Sequence, residues 1–336
     1  MDIGVVGGGS WGTALARLLA TNGHNLMVWA HGPEVVEQIN ETQENKEYLP
    51  DIDLPTSLRA TSDMEEAVAG KDVILSVSPS HVLREVLEQL VDFLPEQVPI
   101  VSATKGIENQ SLMLVSDILE DVLPSKHHPF LAYLSGPSFA REVAKEMPTA
   151  VTIASHNASL AVDMQRLFSN GYFRCYTSND VIGVEIGGAL KNVIAIASGA
   201  ASGMELGLNA SAGMITRGLH EITRLAVKKG ANPLTLTGLA GMGDLVLTCT
   251  GGLSRNRTVG YKLGSGMSLD QILEEMNMVA EGVKTSKSVY DLSRQMGVEM
   301  PISEQVYAVI YEGKSPHQAV QDLMNRDLKP ELGGWM

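Results

Sequence analysis

The sequence predicts an α/β domain of the Rossmann type with a mainly parallel sheet, followed by an all-α domain. In the first half of the chain, short apolar runs alternate with amphipathic helical segments, which is typical of βαβ units. After residue 180 the apolar residues recur at helical spacing, and no convincing strand is visible. The 336 residues are enough for two average domains of roughly 150 residues each. We therefore predict one domain over residues 1–180 and a second over residues 181–330.

The alternation of strands and helices begins with the first residues. Ile3–Val6 predicts a strand, a helix follows from Ser10 to about Thr21, and Asn22-Gly23 predicts the turn after it. The further predicted strands are Leu26–Trp29, Val73–Val77, Ile100–Ala103, Leu131–Leu134 and Ala150–Ala154, with a predicted helix at Ser80–Leu94.

Helical periodicity dominates the rest of the chain. Gly230, Gly297 and Gly313 stand where predicted helices should end, because glycine readily adopts the conformation that terminates a helix. The predicted helices are Ala212–Lys229, Leu269–Met276, Thr285–Met296, Ser303–Tyr311 and His317–Met324. The pattern contains no internal repeat of the kind that marks a solenoid.

The composition excludes several classes of partner. The chain has 25 Lys and Arg against 39 Asp and Glu, so its net charge is −14. Because the field of such a protein repels polyanions, we expect no general binding of nucleic acid or anionic membrane. Aromatic residues make up only 5%, which argues against stacking platforms for single strands.

Cysteine usage and hydropathy indicate a cytoplasmic protein without a membrane span. Cys175 and Cys249 lie far apart and form no Cys/His cluster, so we expect neither a disulfide scaffold nor a metal site. No secretory signal is visible before the first strand. The most apolar stretch, Val181–Met204, carries Glu185 and Lys191, and two charges there favour a buried helix over a span.

The first predicted strand leads directly into Gly7-Gly8-Gly9-Ser10-Trp11-Gly12, which matches the pattern G-x-G-x-x-G. Gly7 permits the tight turn, Gly9 lets the backbone approach a pyrophosphate, and Gly12 lets the helix pack closely on the strand. The helix N-terminus then presents free N–H groups to the phosphates. The motif predicts a dinucleotide site. The alternatives are a glycine-rich turn without a ligand and a methyltransferase-type loop, and the latter lacks its acidic residue after the second strand.

The end of the second strand bears on the choice of cofactor. NAD-selective sites usually place Asp or Glu about 20 residues after the glycines. Here the strand ends in Val28-Trp29-Ala30-His31-Gly32, and the first carboxylate is Glu34. Protonated His31 would attract a 2′-phosphate, so the sequence favours NADP, or no strong preference, over strict NAD. The alternative is that His31 is an ordinary exposed loop residue.

Positive charge is concentrated between Ser211 and Gly264, where seven Lys and Arg accompany only two acids. This local excess of five charges leaves −19 for the remainder of the chain. Within the window, Ser254 can cap a helix start beside Arg255 and Asn256, and a guanidinium suits phosphate oxygens. These residues predict a pocket for one phosphate dianion, and the alternative is a solvated basic helix face.

Two lysines stand in unusual settings. Lys105 directly follows a predicted strand, at the sheet edge where ligands bind. Lys191 lies inside an apolar Gly/Ala-rich helix, where desolvation favours its neutral form and suits it to proton transfer during carbonyl reduction. The alternative for Lys191 is a side chain that extends to the helix end to reach water.

An isolated acid and a turn of small residues complete the candidate site. Asp244 can orient Lys191 or accept a hydrogen bond from a substrate hydroxyl, and the alternative is a helix cap after Gly243. Residues 136–140 form a turn after a strand, where small residues let the backbone approach a ligand closely.

Longer motifs connect these residues along the chain. They are GGGSWGTALA at Gly7–Ala16, SATKG at Ser102–Gly106, SGPSFAREVA at Ser135–Ala144, IGVEIGGALKNVIAIASG at Ile182–Gly199, GMGDLVLTCT at Gly241–Thr250, SRNR at Ser254–Arg257, VAEGVKT at Val279–Thr285 and MPI at Met300–Ile302. Together they resemble the bacterial NAD(P)-dependent glycerol-3-phosphate dehydrogenases, over essentially the whole chain. The tracts around Lys191 and Arg255 are specific to that family, whereas many dehydrogenases share the glycine loop.

The resemblance implies an activity and a set of roles. The implied reaction is the reduction of dihydroxyacetone phosphate to sn-glycerol 3-phosphate and its reverse, for glycerophospholipid synthesis. The implied second domain is a helical domain of the 6-phosphogluconate-dehydrogenase-like type. Lys191 matches the proton-transfer residue. The implied substrate positions are Lys105, Gly136, Ser138, Lys191, Asp244, Ser254, Arg255 and Asn256. The implied cofactor positions are Ser10, Trp11, His31, Lys105, Ala140, Arg255, Val279 and Glu281, beside the loop glycines.

Two other functions stay open at this point. A related two-domain dehydrogenase for a β-hydroxyacid or a ketopantoate-like substrate shares the glycine loop and a lysine, but a carboxylate substrate needs no dianion pocket. A non-catalytic NADP-binding sensor needs no proton donor. The expected partner is a small phosphorylated three-carbon substrate, and the apolar helical faces permit a homodimer without requiring one.

Overall fold

The computed structural model describes residues 1–276 and 280–331, and the chain divides into two compact units. Unit 1 comprises Met1–Lys105 and Met113–Glu185, and unit 2 comprises Gly106–Leu112 and Ile186–Met336. The short segment of unit 2 that interrupts unit 1 is not indicated by the sequence pattern.

Unit 1 is built on an eight-stranded sheet. Its strands are β1 (Asp2–Val6), β2 (Asn25–Trp29), β3 (Leu58–Thr61), β4 (Val73–Ser76), β5 (Ile100–Ser102), β6 (Leu131–Ser135), β7 (Thr149–Ala154) and β8 (Phe173–Ser178). The spatial order is β3-β2-β1-β4-β5-β6-β7-β8, and every neighbouring pair is parallel except β6 with β7. The predicted fold class, a mainly parallel Rossmann-type sheet, is confirmed.

The register of the sheet brings three strand ends level at one edge. Val6, the last residue of β1, pairs with Trp29 of β2 and with Ser76 of β4. The strand order changes direction at β1, and ligands of open α/β sheets bind in the crevice beyond the strand ends at such a point.

The sequence pattern missed β3 and β8, which form the two edges of the sheet. In β8, Arg174 and Tyr176 are exposed and alternate with the buried Phe173 and Cys175. An edge strand pairs on one side only and tolerates polar residues, so the apolar run that marks a central strand is absent.

Seven helices connect the strands of unit 1. Leu15, Leu18 and Leu19 of the first helix are at most 1% exposed and pack in the core of the unit. The predicted helix at Ser80–Leu94 is shorter in the structure and ends in a 3₁₀ turn at Val91–Phe93. The helices are α1 (Ser10–Thr21), α2 (Pro33–Thr42), α3 (Met64–Val68), α4 (Leu83–Leu90), α5 (Val115–Val122), α6 (Ala140–Ala144) and α7 (Ala158–Phe168).

The described part of unit 2 is helical, as predicted. A π-helical segment, Leu239–Gly243, immediately precedes the third of its helices. Gly297 ends a helix in the left-handed conformation with φ of 65°, as its position in the sequence predicts. The helices are α8 (Val181–Gly203), α9 (Gly207–Lys228), α10 (Asp244–Thr250), α11 (Arg255–Gly264), α12 (Leu269–Glu275), α13 (Glu281–Met296), α14 (Pro301–Tyr311) and α15 (Pro316–Met324).

Helix α8 begins in unit 1, crosses into unit 2 at residue 186 and packs closely on α11. A Cβ on Gly199 would lie 2.1 Å from the carbonyl oxygen of Arg257, and a Cβ on Gly260 would lie 2.0 Å from that of Ile196. Only glycine permits this approach. By length and composition α8 is the one helix among the described residues that suffices to cross a membrane, but 83% of its apolar window is buried in the protein. Such burial is typical of a core helix.

Candidate active site

The glycine loop joins β1 to α1 in unit 1. Gly7 has φ of 126°, and a Cβ there would lie 2.9 Å from the carbonyl oxygen of Val77. A Cβ on Gly12 would lie 1.9 Å from the carbonyl oxygen of Gly7. By contrast, no atom comes within 4 Å of a Cβ placed on Gly9. Gly7 and Gly12 are therefore required by packing, whereas a side chain at Gly9 would extend into open space.

The start of α1 is suited to bind a pyrophosphate. Gly9 is its N-cap residue and offers no side chain to the first N–H groups of the helix. The first intrahelical bond runs from Thr13 N–H to the carbonyl oxygen of Gly9 at 2.9 Å. The N–H groups of residues 10–12, including those of Ser10 and Trp11, are orphan donors of the kind that bind phosphate.

Both a histidine and an acid follow the end of β2. His31 is exposed, and its ring centroid lies 6.3 Å from that of Trp29. Glu34 is also exposed, and its Oε2 atom would lie 3.4 Å from a Cβ placed on Gly32. The Glu34 carboxylate therefore lies beside Gly32.

Three of the predicted substrate residues meet at one carbonyl group in unit 1. Lys105 Nζ donates to the carbonyl oxygen of Gly136 at 3.2 Å, and Ser138 Oγ donates to the same oxygen at 3.0 Å. Gly136 has φ of 147°, and a Cβ there would lie 2.9 Å from the Cα atom of Val151. This turn after β6 therefore needs glycine. Ala140, a predicted cofactor residue, opens α6 just beyond it.

In unit 2, Lys191 of α8 lies in a buried polar cluster. Its Nζ atom is 3.2 Å from Asp244 Oδ1, 2.9 Å from Thr248 Oγ1 and 3.3 Å from Asn192 Oδ1. Lys191 is 7% exposed and Asp244 is 2% exposed. The alternative in which Lys191 extends to a helix end is excluded, because its ammonium is held by internal partners. Asp244 is the first residue of α10 and pairs with Lys191, and the N-cap position belongs to Gly243.

Sequence reasoning missed two members of this cluster. Thr248 Oγ1 receives the hydrogen bond from Lys191 and itself donates to the carbonyl oxygen of Asp244 at 2.6 Å. Asn192 follows Lys191 directly and is 3% exposed. No signal in the sequence distinguishes this amide and this hydroxyl from those of ordinary helix residues.

The residues predicted to bind phosphate lie at the start of α11. Ser254 caps the helix, because its Oγ atom accepts from Arg257 N–H at 3.2 Å. Asn256 is buried and its Oδ1 atom accepts from Gly282 N–H at 2.9 Å. Arg255 is exposed and makes no hydrogen bond or ion pair with residues 1–276 or 280–331. Its guanidinium is therefore available to an anion.

Two further predicted cofactor residues, Val279 and Glu281, belong to unit 2 and are two residues apart in the sequence. Glu281 opens α13, next to the Gly282 amide that binds Asn256. Val279 lies outside the described residues.

Three of the seven cations in the basic window are bound by other parts of unit 2. Arg217 Nη1 donates to the carbonyl oxygen of Glu331 at 3.2 Å, and Arg224 Nη2 donates to that of Glu299 at 2.6 Å. Lys262 pairs with Glu275. These cations bind other parts of unit 2, because residues that are close in sequence can lie on different faces of a helix.

The two thiols are unreactive. Cys175 and Cys249 are buried and unpaired with each other, and burial raises the pKa of each thiol to about 12. Among the described residues, no group of three or more His, Cys, Asp or Glu side chains is arranged to hold a metal ion.

Comparison with known protein families decides between the readings of the sequence. Residues 2–161 match the model of the NAD-dependent glycerol-3-phosphate dehydrogenase N-terminus, and residues 180–321 match that of the C-terminus. The chain belongs to this family. A relative from Myxococcus xanthus, glycerol-3-phosphate dehydrogenase (NAD(P)+), is 55% identical over 330 residues, or 98% of either chain.

Solved structures agree with the family membership. Glycerol-3-phosphate dehydrogenase from Coxiella burnetii is 38% identical with a TM-score of 0.92, and the match covers 97% of this chain and 99% of that one. A ketopantoate reductase from Ralstonia eutropha is 17% identical with a TM-score of 0.61, covering 95% of this chain and 100% of that one. The latter shares the fold alone, whereas the family members share the sequence motifs as well.

Proposed function

We propose that this chain reduces dihydroxyacetone phosphate to sn-glycerol 3-phosphate, and catalyses the reverse reaction, with NADPH or NADH as hydride donor. The observation that carries the proposal is the buried Lys191, whose ammonium is held by Asp244 and Thr248 in a family of glycerol-3-phosphate dehydrogenases. The names of the full-length relatives support the same substrate pair.

Lys191 is the proposed proton donor. The nicotinamide, when bound, supplies the hydride to the carbonyl carbon, and negative charge then develops on the carbonyl oxygen. A proton from Lys191 Nζ neutralises this alkoxide, and the neutral amine accepts it back during oxidation. Asp244 and Thr248 fix the position of Nζ. Burial keeps water away from the proton that is transferred.

The proposed substrate residues are those with donors for a phosphate or a hydroxyl. Arg255 supplies a planar guanidinium for the phosphate dianion, and Ser254 and Asn256 accompany it at the start of α11. The further proposed substrate residues, Lys105, Gly136 and Ser138, belong to unit 1. Asp244 is the proposed acceptor for a substrate hydroxyl.

The proposed cofactor residues begin with the glycine loop, where Gly7, Gly9 and Gly12 shape the turn and Ser10 and Trp11 supply backbone N–H groups. The remaining proposed contacts are His31, Lys105, Ala140, Arg255, Val279 and Glu281. NADP is the favoured cofactor because His31 can attract a 2′-phosphate. The carboxylate of Glu34 opposes this preference, so Glu34→Gln should raise the NADPH-to-NADH rate ratio.

The proposed setting is the cytoplasm, where the product feeds glycerophospholipid synthesis. The two buried, unpaired cysteines fit a reducing compartment. The proposed partner is a small phosphorylated three-carbon substrate, with neither nucleic acid nor insertion into a membrane, and the apolar helical faces permit a homodimer.

The proposal is tested by following NADPH or NADH oxidation with dihydroxyacetone phosphate and with unphosphorylated dihydroxyacetone. We expect turnover of dihydroxyacetone phosphate but not of dihydroxyacetone. The kcat/KM should be higher with NADPH than with NADH. Equal rates with both ketones would refute phosphate recognition, and turnover of a 2-keto acid in their place would favour a hydroxyacid dehydrogenase.

Two substitutions separate binding from chemistry. Arg255→Ala should raise the KM for dihydroxyacetone phosphate by about 10-fold or more, since charge-assisted hydrogen bonds contribute about 1.5–3 kcal/mol. Arg294→Ala removes the same charge from α13, where Arg294 lies over the Tyr290 ring, and should leave that KM unchanged.

Lys191→Met should lower kcat by about 10²–10⁴-fold without weakening dinucleotide binding. Near-normal turnover would exclude Lys191 from the reaction.

A further inference from the structure

A fully buried asparagine lies directly behind the glycine loop. Asn45 is 0% exposed, although it stands in the irregular segment between α2 and β3. Its Nδ2 atom donates to the carbonyl oxygen of Gly8 at 2.8 Å and to Thr13 Oγ1 at 2.8 Å. Thr13 Oγ1 itself donates to the same Gly8 oxygen at 3.3 Å. Neither Asn45 nor Thr13 belongs to the glycine motif, yet both bind its middle peptide.

These bonds determine where the next N–H group points. A trans peptide is planar, and its N–H and C=O groups point in opposite directions. Because Asn45 and Thr13 hold the oxygen of Gly8 towards the interior, the N–H of Gly9 is turned the other way. The Gly9 N–H makes no hydrogen bond with residues 1–276 or 280–331, and a Cβ placed on Gly9 would meet no atom within 4 Å. The buried amide therefore aims a backbone donor outwards.

The segment that carries Asn45 is itself held in place. Asn45 Oδ1 accepts from Tyr48 N–H at 3.2 Å, and the carbonyl oxygen of Tyr48 accepts from Ser10 Oγ at 2.5 Å. Leu49 is 3% exposed and belongs to the core of unit 1. The segment is thus bonded to the loop at residues 8, 10 and 13, and it braces the loop from behind.

We propose that Asn45 is a positioning residue for dinucleotide binding, which orients the Gly8–Gly9 peptide so that the Gly9 N–H is ready to receive the pyrophosphate. The inference rests on the proposed function, because it takes the ligand of the loop to be a nicotinamide dinucleotide. Asn45 itself does not touch the dinucleotide, and its effect is on affinity. Without it, the peptide of Gly8 is free to rotate, and part of the binding free energy is lost in ordering the loop.

The test is a pair of matched substitutions. Asn45→Asp keeps the shape and the acceptor for Tyr48 N–H, but places an oxygen against the Gly8 carbonyl where a donor stood. Asn40→Asp makes the same change on α2, where Asn40 Nδ2 donates to Ala60 O at 2.8 Å and Oδ1 accepts from Ala60 N–H at 2.9 Å. The measurements are the dissociation constant of NADPH by calorimetry, the Tm without ligand, and kcat at saturating NADPH.

We expect Asn45→Asp to raise the NADPH dissociation constant by about 10-fold or more, with kcat at saturation within about 2-fold of the parent. Asn40→Asp should lower Tm and leave the dissociation constant unchanged. An unchanged dissociation constant in folded Asn45→Asp, or equal losses of affinity in both variants, would overturn the proposal.

A second variant covers the case in which Asn45→Asp does not fold. Thr13→Val conserves shape and removes one of the two donors to the Gly8 oxygen, so it should raise the NADPH dissociation constant by about 2–5-fold. No change in that variant would also count against the proposal. If the parent protein binds neither NADPH nor NADH, the proposed function fails, whereas a parent that binds while the variants bind equally well refutes only the role of Asn45.

Discussion

At the scale of single residues, the chemistry of the candidate site depends on how Lys191 is held. An ammonium has three N–H donors and no acceptor. Three oxygens face it, from Asp244, Thr248 and Asn192, at distances between 2.9 and 3.3 Å. These contacts give the side chain one well-defined position. Orientation of this kind is what proton transfer to a single substrate atom requires.

Thr248 is the member of this cluster whose contribution can be isolated. Thr248→Val removes the 2.9 Å contact with Lys191 Nζ and conserves the volume of the side chain. We expect kcat to fall by about 10-fold while the dissociation constant of NADPH is unchanged, since a lost hydrogen bond to a charged group is worth about 1.5–3 kcal/mol. Steady-state kinetics with calorimetry measure both quantities.

The matched control for this prediction lies two residues further along α10. Thr250 Oγ1 donates to the carbonyl oxygen of Val246 at 2.8 Å, as Thr248 donates to that of Asp244, but Thr250 is exposed. Thr250→Val should leave kcat unchanged. A kcat for Thr248→Val equal to that of Thr250→Val would contradict the role given to Thr248.

The sequence identified Lys191 and Asp244 because a charge in an apolar helix and an acid among cations are anomalies of composition. It could not identify Asn192 and Thr248, because a buried amide and a hydroxyl are ordinary residues until their partners are known. Nor could it detect Asn45, whose partner Gly8 lies 37 residues away and is contributed by the backbone. A contact to a main-chain atom cannot be inferred from the residue type of the partner, because every residue has a backbone carbonyl group.

At the scale of elements, Lys191 and Asp244 are brought together by a close approach of α8 and the π-helical segment before α10. A Cβ on Gly187, one turn before Lys191, would lie 2.4 Å from the carbonyl oxygen of Ala240. Irregular π turns often occur at functional sites, and this one ends at the residue before Asp244. The absence of a side chain at residue 187 therefore sets the spacing of the pair.

Gly187→Ala should separate α8 from the π-helical segment by several tenths of an ångström and weaken the contact between Lys191 and Asp244. We expect kcat to fall by about 10-fold or more and the protein to lose about 1–3 kcal/mol of stability, since overpacking forces backbone shifts. Gly213→Ala in α9 is the control. No atom lies near a Cβ there, so helix propensity should make it neutral or stabilising. Equal kcat values in the two variants would exclude this spacing role.

A second element-scale prediction concerns the buried Glu221 of α9, which caps α14. Its Oε1 atom accepts from Ile302 N–H at 2.7 Å, and Oε2 accepts from Ser303 N–H and Oγ at 3.2 Å. Burial raises the pKa of this carboxyl from 4.5 to about 7, although these bonds and the charge of Arg224 oppose the shift. The folded protein thus binds this proton more tightly than the unfolded chain does.

Stability should therefore fall as the pH rises from about 4.5 to about 7, by an amount on the order of 3 kcal/mol from this group. Glu221→Gln lacks the titration, so its stability relative to the parent should improve steadily over that pH range. Urea unfolding of both proteins at several pH values, followed by helical circular dichroism, measures the difference. A difference independent of pH would show that Glu221 is ionised in the folded protein throughout.

The elements themselves were predictable to the extent that they lie in the interior. Central strands such as β1 and β4 are continuous apolar runs and were found within a residue of their ends. The edge strands β3 and β8 were missed, because the exposed Arg59 and Arg174 interrupt their apolar runs. Burial on both faces makes a strand visible in a sequence.

At the scale of the whole molecule, the net charge of −14 is a sum and does not show the different roles of the cations. In the window from 211 to 264, Arg217 and Arg224 bind carbonyl oxygens elsewhere in unit 2, and Lys262 forms an ion pair. Arg255 is the exposed cation at the start of α11. A net charge therefore does not distinguish cations that are bound within the protein from those that, like Arg255, are exposed.

The last prediction concerns where the first domain ends. The sequence suggests residue 180, whereas the compact unit extends to Glu185, inside α8. The carboxylate of Glu185 accepts from Ser116 N–H at 2.8 Å and from Ser116 Oγ at 2.5 Å, and so caps the start of α5.

A fragment of residues 1–180 lacks this cap, whereas a fragment of residues 1–190 retains it. We expect the longer fragment to be more stable by about 1–2 kcal/mol, the usual contribution of a helix cap. Urea unfolding of both measures this, and Glu185→Gln in the longer fragment should remove most of the gain. Equal stability of all three fragments would mean that the first domain ends at residue 180 and that the cap contributes nothing to it.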